Sequence, residues 1–440
     1  MIYYVALSGS DLNSGSLESP WATINHAASV LKAGDTLYIR EGVYNISEPI
    51  MPKNSGTEEE IITYSAYFNE KVVIDAYAIN FYKEEEEKYL AASTGAIHIE
   101  NLKYICIRNL KVINSHGQGI AIRDSSYIQV NNCTTENTFA CGISIWDTDS
   151  TATHSCYNRI TGNTVIKANT WNMIPEGMKR GPEPPHEAIS IAGASYFEVS
   201  FNHVYNCDKE GIDVKEVSRH GRVHHNYVHD LDRQGLYVDA WFGVLEDVEL
   251  YENVVTNCHG AGIALSAEGG PMIKNIKIYN NLVYNNHGTG ILFGTWGDNA
   301  LRKNISIYNN ILVHNGHGTP EKGMEYFWIT GGLCMLSGNL EDVKIYNNIF
   351  SDNSGFQIGY SAAFLKEGKN IDAILENKRI FIKSNIINDK NETRYPIYSG
   401  WQGNYTYLYN MKGSNYSEKD PELKLNTKSD LVRWIKAAEW

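Results

Sequence analysis

The chain is short of cations and nowhere gathers them: 38 lysines and arginines stand against 51 aspartates and glutamates, a formal net charge of −13 over 440 residues. Phosphate backbones are bound by a basic stripe, so nucleic acid is excluded as a partner. No apolar run approaches the roughly twenty residues that a membrane span requires, so no membrane partner is expected. Cysteine is sparse, at seven residues (Cys106, Cys133, Cys141, Cys156, Cys207, Cys258 and Cys334) without a Cys-x-x-Cys pair. An odd, scattered set argues against a disulfide framework or a zinc knuckle, and buried free thiols with no bound metal are expected. A leader is lacking too: the chain opens Met1-Ile-Tyr-Tyr-Val5 with no basic n-region, apolar core or cleavage site. That pattern fits a cytoplasmic protein, or a secreted one whose signal has been removed. Nothing in the sequence marks an oligomeric state.

What is present is repetition. Segments opening at Ala96, Gly119, Gly142, Ala188, Gly211, Gly235, Gly262 and Gly290 share one pattern, a small residue followed by alternating apolar positions. Asparagine forms a second column: Asn109, Asn132, Asn163, Asn202, Asn226, Asn253, Asn281, Asn310, Asn348 and Asn385. Short strands at a period of a little over twenty residues, with recurring Gly and Asn, predict a solenoid, and strands this short predict a parallel β-helix. The asparagines belong at sharp corners, where they tolerate unusual backbone angles and pair their amides between coils. Gly142 to Ala188 reads as one coil with extra loop. The expected organisation is an N-terminal cap with first strands at 1–75, the β-helix of about ten coils at 76–390, and a C-terminal tail or cap at 391–440.

Within the cap, Thr23–Leu31 has helical spacing, and Asp35–Tyr44 alternates as strands do. Together with the opening Tyr3-Tyr-Val5, the loop Ser8–Gly15 and the Gly-Asp-Thr at Gly34–Thr36, this segment resembles the N-terminus of right-handed parallel β-helix carbohydrate enzymes. That resemblance implies an all-β, single-stranded, right-handed fold. Lyases, hydrolases and epimerases share this opening.

Period-two alternation sends Ile212/Val214, Leu236/Val238 and Ile263/Leu265 inward. The intervening positions then face outward on one sheet. There the stretch Glu210–Pro271 differs from its neighbours, bringing Asp213, Lys215, Tyr237, Asp239, Trp241 and Glu268 onto three consecutive coils. Glu187 and Glu210 precede their strands, His186 lies beside Glu187, and small residues such as Ser190, Ala192, Ala264 and Ser266 leave a floor. Loops at Thr170–Pro185 and Gly318–Gly338 would overhang it, supplying Trp171, Tyr326, Phe327 and Trp328, with Trp296 nearby. Ordinary β spacings put Asp213 about 8 Å from Asp239 between backbones, and Asp239 the same step from Glu268. Paired carboxylates at such a spacing serve glycoside cleavage, about 5–5.5 Å apart for retention and about 6.5–9.5 Å for inversion. Lys215 lies below Asp239, and an adjacent ammonium would lower that carboxyl's pKa, as suits a nucleophile or base. Glu268, with no cation expected nearby, would keep the raised pKa of a general acid. Trp241 would offer a sugar ring a flat apolar face.

Gly235-Leu-Tyr-Val-Asp239-Ala-Trp241, followed one coil later by Ala267-Glu268-Gly-Gly-Pro271, resembles β-helical glycoside hydrolases, including β-xylosidases. The resemblance implies Asp239 as nucleophile and Glu268 as acid/base, with Ala240 here separating Asp from Trp. A competing resemblance joins Asp208-Lys-Glu210-Gly-Ile-Asp213 to the acidic calcium strand of a pectate lyase family. It implies Ca²⁺ held by Glu187, Glu210 and Asp213, with Lys215 as base. A third alternative is a non-catalytic glycan-binding β-helix. The expectation is an enzyme acting on a polysaccharide or its oligosaccharides by two carboxylates without a cofactor, in which Asp213 and Lys215 join the catalytic group. Glu187, Glu210, Tyr237, His186, Trp241, Trp296 and Trp328 would bind substrate.

Overall fold

The computed structural model describes residues 1–81, 93–178, 184–317, 331–361, 371–388, 394–399 and 404–410. Tyr326, Phe327, Trp328 and the end of the chain, where a short helix is expected at 430–438, lie outside the described residues. Three sheets of thirteen, twelve and twelve strands wrap one elongated core. The first runs from Ile2–Val5 to Phe381–Lys383, the second from Gly42–Asn45 to Ile386–Asn388, and the third from Gly95–Glu100 to Ile358–Ser361. From Gly95 onward each coil contributes one strand to each sheet and pairs in parallel with the coils on either side, which is a parallel β-helix. At the far end of the third sheet the strands Arg394–Ser399 and Asn404–Asn410 add on antiparallel. The helical spacing after Thr23 produces a helix at Ile24–Val30, with the Thr23 side chain accepting from the His26 N–H as its N-cap.

The interior is built from the alternation. In the third sheet Ile120, Ile143, Ile189, Ile212, Leu236, Ile263 and Ile291 pair coil to coil in register, and all are buried. Each such side chain removed from water contributes about 1.5–3 kcal/mol, so a continuous apolar column holds the coils together without long strands. Since side chains alternate at period two, the same register directs Asp213, Lys215, Tyr237 and Asp239 to the opposite face. Six of the seven cysteines are buried free thiols, and Cys156 is half-buried.

The corners divide into two adjacent columns where one was expected. From Asn163 through Asn202, Asn226, Asn253, Asn281, Asn310 and Asn348 to Asn385, each amide nitrogen donates to the next carbonyl oxygen at 2.9–3.0 Å. The residue before each takes the left-handed conformation, as Phe201 (φ 57), His225 (φ 53) and Asn280 (φ 56) do. Asn109 (φ 60) and Asn132 (φ 52) belong to this second column, and Cys133 follows Asn132 at the ladder position, its N–H donating to Asn163 Oδ1. Tolerance of positive φ and amide stacking are therefore tasks of neighbouring residues.

Candidate active site

The site is assembled by four third-sheet strands in succession, Ile189–Ala192, Ile212–Glu216, Leu236–Ala240 and Ile263–Ala267. Their register places Ser190 beside Asp213 beside Tyr237 beside Ala264, and Ala192 beside Lys215 beside Asp239 beside Ser266. Glu268 follows the last strand by one residue, and its N–H donates to Ala240 O at 3.1 Å. Small residues on the flanking coils leave the charged side chains to pack on one another.

Two groups form on this face. In the lower one, Lys215 Nζ lies 3.0 Å from Glu187 Oε1 and 3.6 Å from Asp213 Oδ2, while Ser190 Oγ donates to Glu187 Oε2 at 2.7 Å. Glu210 sits alongside, its Oε1 3.2 Å from Arg233 Nη1. In the upper one, Trp241 Nε1 donates to Asp239 Oδ2 at 2.7 Å, and the Tyr237 hydroxyl donates to Glu268 Oε1. Trp296 meets Tyr237 edge to face, at 6.0 Å between ring centroids. Gly269 lies directly under the Trp241 indole, where a Cβ would come within 2.4 Å of the ring, so only glycine lets the ring lie there.

The lysine's direction corrects the sequence-based expectation. Although Lys215 and Asp239 pair in register, the ammonium turns toward Glu187 and Asp213, where two carboxylates outbid one. Asp239 consequently stands well above the usual aspartate pKa: burial raises it, and the more distant Lys215 and the Trp241 N–H offset this only in part. Asp213 is likewise pushed well up, by burial first and by the Glu187 charge second. Burial works most strongly against ionising Glu187, but Lys215, Lys209, His186 and the Ser190 hydrogen bond together outweigh it and hold that carboxyl well down. Lys215 itself is held well above its ordinary value, its burial outweighed by Glu187, Asp213 and Asp239. Burial raises Glu268, with the Tyr237 hydrogen bond pulling the other way. Glu216, next to Lys215, is pushed up to about 7 by burial.

Glu187, Glu210, Tyr237, Asp213 and Asp239 are all buried, and the first three are engaged by Lys215, Arg233 and Glu268. Trp241, Trp296 and His186 are half-buried and border the cluster or the coils below it. Burial holds the His186 imidazole at about 4, and the ring stands edge-on to Trp146 at 4.9 Å. Trp171 was expected to wall the face, but it packs against the core and Phe139. Trp328 lies outside the described residues. Unanticipated is Arg302, 0 % exposed, which pairs with Ile273 and Leu340 in an otherwise apolar inward column. An arginine interrupting that column was the available signal.

Several buried polar atoms of the cluster have no hydrogen-bond partner: both Asp213 oxygens, Asp239 Oδ1 and Glu210 Oε2. The residues implied for Ca²⁺ do not fit that ion, since Lys215 occupies the space between Glu187 and Asp213 and Arg233 pairs with Glu210. Among the described residues the ligand atoms that do converge, within 4.8 Å, are those of Asp124, Asp147 and His154. No described helix is long and apolar enough to cross a membrane.

Residues 3–181 match the family described as "Pel9A-like, right handed beta helix region", and residues 95–275 that described as "Right handed beta helix region". An uncharacterized protein of Bacillus subtilis, YwoF, is 43% identical over 76 residues, covering 17% of this chain and 16% of its own length. Pectate lyase PEL9 of Emericella nidulans is 31% identical over 123 residues, 28% of this chain and 30% of that enzyme. The chain thus spans less than a third of the length of either relative. XylC, solved with xylose, superposes with a TM-score of 0.58 at 15% identity, covering 93% of this chain and 89% of XylC. The chain has the right-handed parallel β-helix fold.

Proposed function

We propose that the protein cleaves glycosidic bonds in a polysaccharide or its oligosaccharides, with Asp239 as nucleophile or base and Glu268 as general acid. The observation that carries this reading is a pair of carboxyls on adjacent coils, Asp239 buried and Glu268 half-buried, each oriented by one hydrogen bond. Trp241 holds Asp239 by Oδ2, leaving Oδ1 unpartnered as the atom to attack the anomeric carbon or activate a water. Tyr237 fixes the Glu268 carboxyl, from which a proton passes to the departing sugar oxygen. Two such groups titrate as a pair, and the proposed reaction needs its singly protonated form with the proton on Glu268, whereas burial raises Asp239 the further of the two. Lys215 and Glu187 keep the floor beneath Asp239 near neutrality.

The substrate this site suits is an uncharged glycan. Of the cations near the cleft, Lys215 is committed to Glu187 and Asp213 and Arg233 to Glu210, while the buried Lys209 acts on Glu187 from further off. A uronate carboxylate would meet mostly acids here.

The Pel9A-like match favours a calcium-dependent lyase as the second reading. That match ends at residue 181, before Glu187, so it concerns scaffold and not the carboxylate cluster. A lysine held protonated between two carboxylates is also the wrong form for abstracting a proton. The two readings separate in one assay on xylo-oligosaccharides, pectate and alginate, which follows reducing ends and the ultraviolet absorbance of unsaturated ends, with and without chelator. New reducing ends without unsaturation, indifferent to chelator, are expected. Chelator-sensitive unsaturated product would overturn the hydrolase in favour of the lyase.

A further inference from the structure

Arg302 is a full charge inside the β-helix, and nothing in the solenoid repeat calls for it. Its neighbours in the column, Leu245, Ile273 and Leu340, are apolar and buried. An arginine in such a place costs several kcal/mol unless its donors are met. The Nη donors are met almost wholly by one segment, and Nε alone has no hydrogen-bond partner. Nη1 donates to Asn299 Oδ1 at 2.6 Å, to Ala300 O at 2.8 Å and to Ser337 Oγ at 3.2 Å, and Nη2 donates to Gly294 O. The guanidinium therefore ties both ends of the loop Gly294–Ala300 from within.

That loop carries Trp296 and rests on Glu268. Asp298 N–H donates to Glu268 O at 2.6 Å, and Ala300 N–H to Ala267 O at 3.0 Å. Gly297 (φ 58) passes so near that a Cβ would lie 2.3 Å from Glu268 O. Trp296 in turn closes edge-on over Tyr237, whose hydroxyl binds the Glu268 carboxyl. One buried side chain thus underlies a chain of contacts reaching Glu268 by two routes, through its backbone and through Tyr237.

We propose that Arg302 is a positioning residue of the carboxylate site, clamping the Gly294–Ala300 loop from the core so that Trp296 and Glu268 stay in place. This rests on the glycosidase reading of Asp239 and Glu268 only for its kinetic consequence, since the clamp itself is read from the contacts. Although burial lowers its pKa to about 10, Arg302 remains charged at neutral pH, and the Tyr237, Glu268 and Asp239 side of the fold favours that charge. A planar fork with several donors is what the geometry uses, and lysine cannot reproduce it.

Arg302→Lys and the milder Ser337→Ala, which removes one of the clamp's acceptors, test this with two readouts. The first needs no substrate: acrylamide quenching of Trp296 fluorescence, taken as the difference between each protein and its Trp296→Phe counterpart. Quenching is expected to rise at least twofold in Arg302→Lys and by less in Ser337→Ala, with both proteins folded. The second is steady-state kinetics on the hydrolysed glycan, where KM is expected to rise about fivefold or more in Arg302→Lys. A role in stability alone would lower Tm or the active fraction and leave both quenching and KM unchanged in both variants, which would overturn the proposal. If Asp239→Asn abolishes turnover while Arg302→Lys changes neither quenching nor KM, the clamp fails and the glycosidase stands. If no glycan is cleaved but quenching rises as expected, the clamp stands and the glycosidase fails.

Discussion

Two kinds of buried polar array run along this β-helix, asparagine ladders and a carboxylate cluster, and they are opposites. In the asparagine ladder every rung from Asn163 to Asn348 donates to the next at 2.9–3.0 Å, and each accepting amide oxygen also takes, in the rungs from Asn202 to Asn281, the backbone N–H of the same donating asparagine one coil back. In the carboxylate cluster, on another face of the same coils, neither Asp213 oxygen and only one Asp239 oxygen has a hydrogen-bond partner, Asp213 being held by the Lys215 charge alone. Stacking identical coils satisfies polar groups almost automatically when donor and acceptor repeat. Unlike side chains cannot do so, and unsatisfied buried carboxyls are costly. The ladder is what the fold does with polarity for its own stability. The cluster holds polarity that the fold leaves unsatisfied, and this marks the place where chemistry is expected.

The contrast is broken most severely on the cluster side. Asp239→Asn and Glu268→Gln should each lower kcat on the order of 10³-fold, as for groups that supply a charge or a proton in the transition state, without lowering Tm, since ionising a carboxyl of raised pKa opposes folding. Substitution in the ladder should do the reverse. Asn253→Ala leaves the Asn226 amide, its backbone N–H and the Val223 carbonyl without their partner, and should cost about 3 kcal/mol by denaturant unfolding, with activity per folded molecule retained.

Smaller effects sharpen the comparison. Asp213 has a raised pKa in the folded state, so ionising it opposes folding as pH rises from the ordinary aspartate value toward the folded one. Asp213→Asn should therefore stabilise the protein at neutral pH by about 1 kcal/mol or more, the gap closing as the pH falls below about 4. A ladder asparagine replaced in the same way gives no such pH dependence. The raised pKa of the Asp239–Glu268 pair sets the form of the pH–rate profile. Activity should be lost on the acid side when both carry a proton, at a pH above the ordinary aspartate value of about 3.9, and on the alkaline side when both are ionised. The smallest effect is expected from chelation, which should leave both rate and Tm where they were.

The fold was largely legible because it is written in periodic positions. The glycine-led strands and their inward isoleucines align in the structure in the register that the sequence spacing implies, from Ile97 through Ile291. The same register brings Asp213, Lys215, Tyr237 and Asp239 onto one face. What the sequence does not carry is the direction a long side chain takes once it is there. Lys215 had carboxylates on two sides, and register alone favoured Asp239 over the Glu187–Asp213 pair that holds it. Burial then reversed the expected pKa of Asp239. Asn109 and Asn132 were grouped with the ladder because two columns one residue apart share a residue type, and only backbone angles separate them. Arg302 escaped because the columns read were those of the glycine-led strands, and it lies in the strand Leu301–Tyr308 of the first sheet.

The central claim is that this face adds water across a glycosidic bond. Digestion of a cleaved oligosaccharide in oxygen-18 water, followed by mass spectrometry of both fragments, tests it most directly. The account predicts one heavy oxygen per bond broken, on the fragment that gains the new reducing end, and no incorporation with Glu268→Gln. Fragments free of heavy oxygen, one of them lighter by a water, would contradict it.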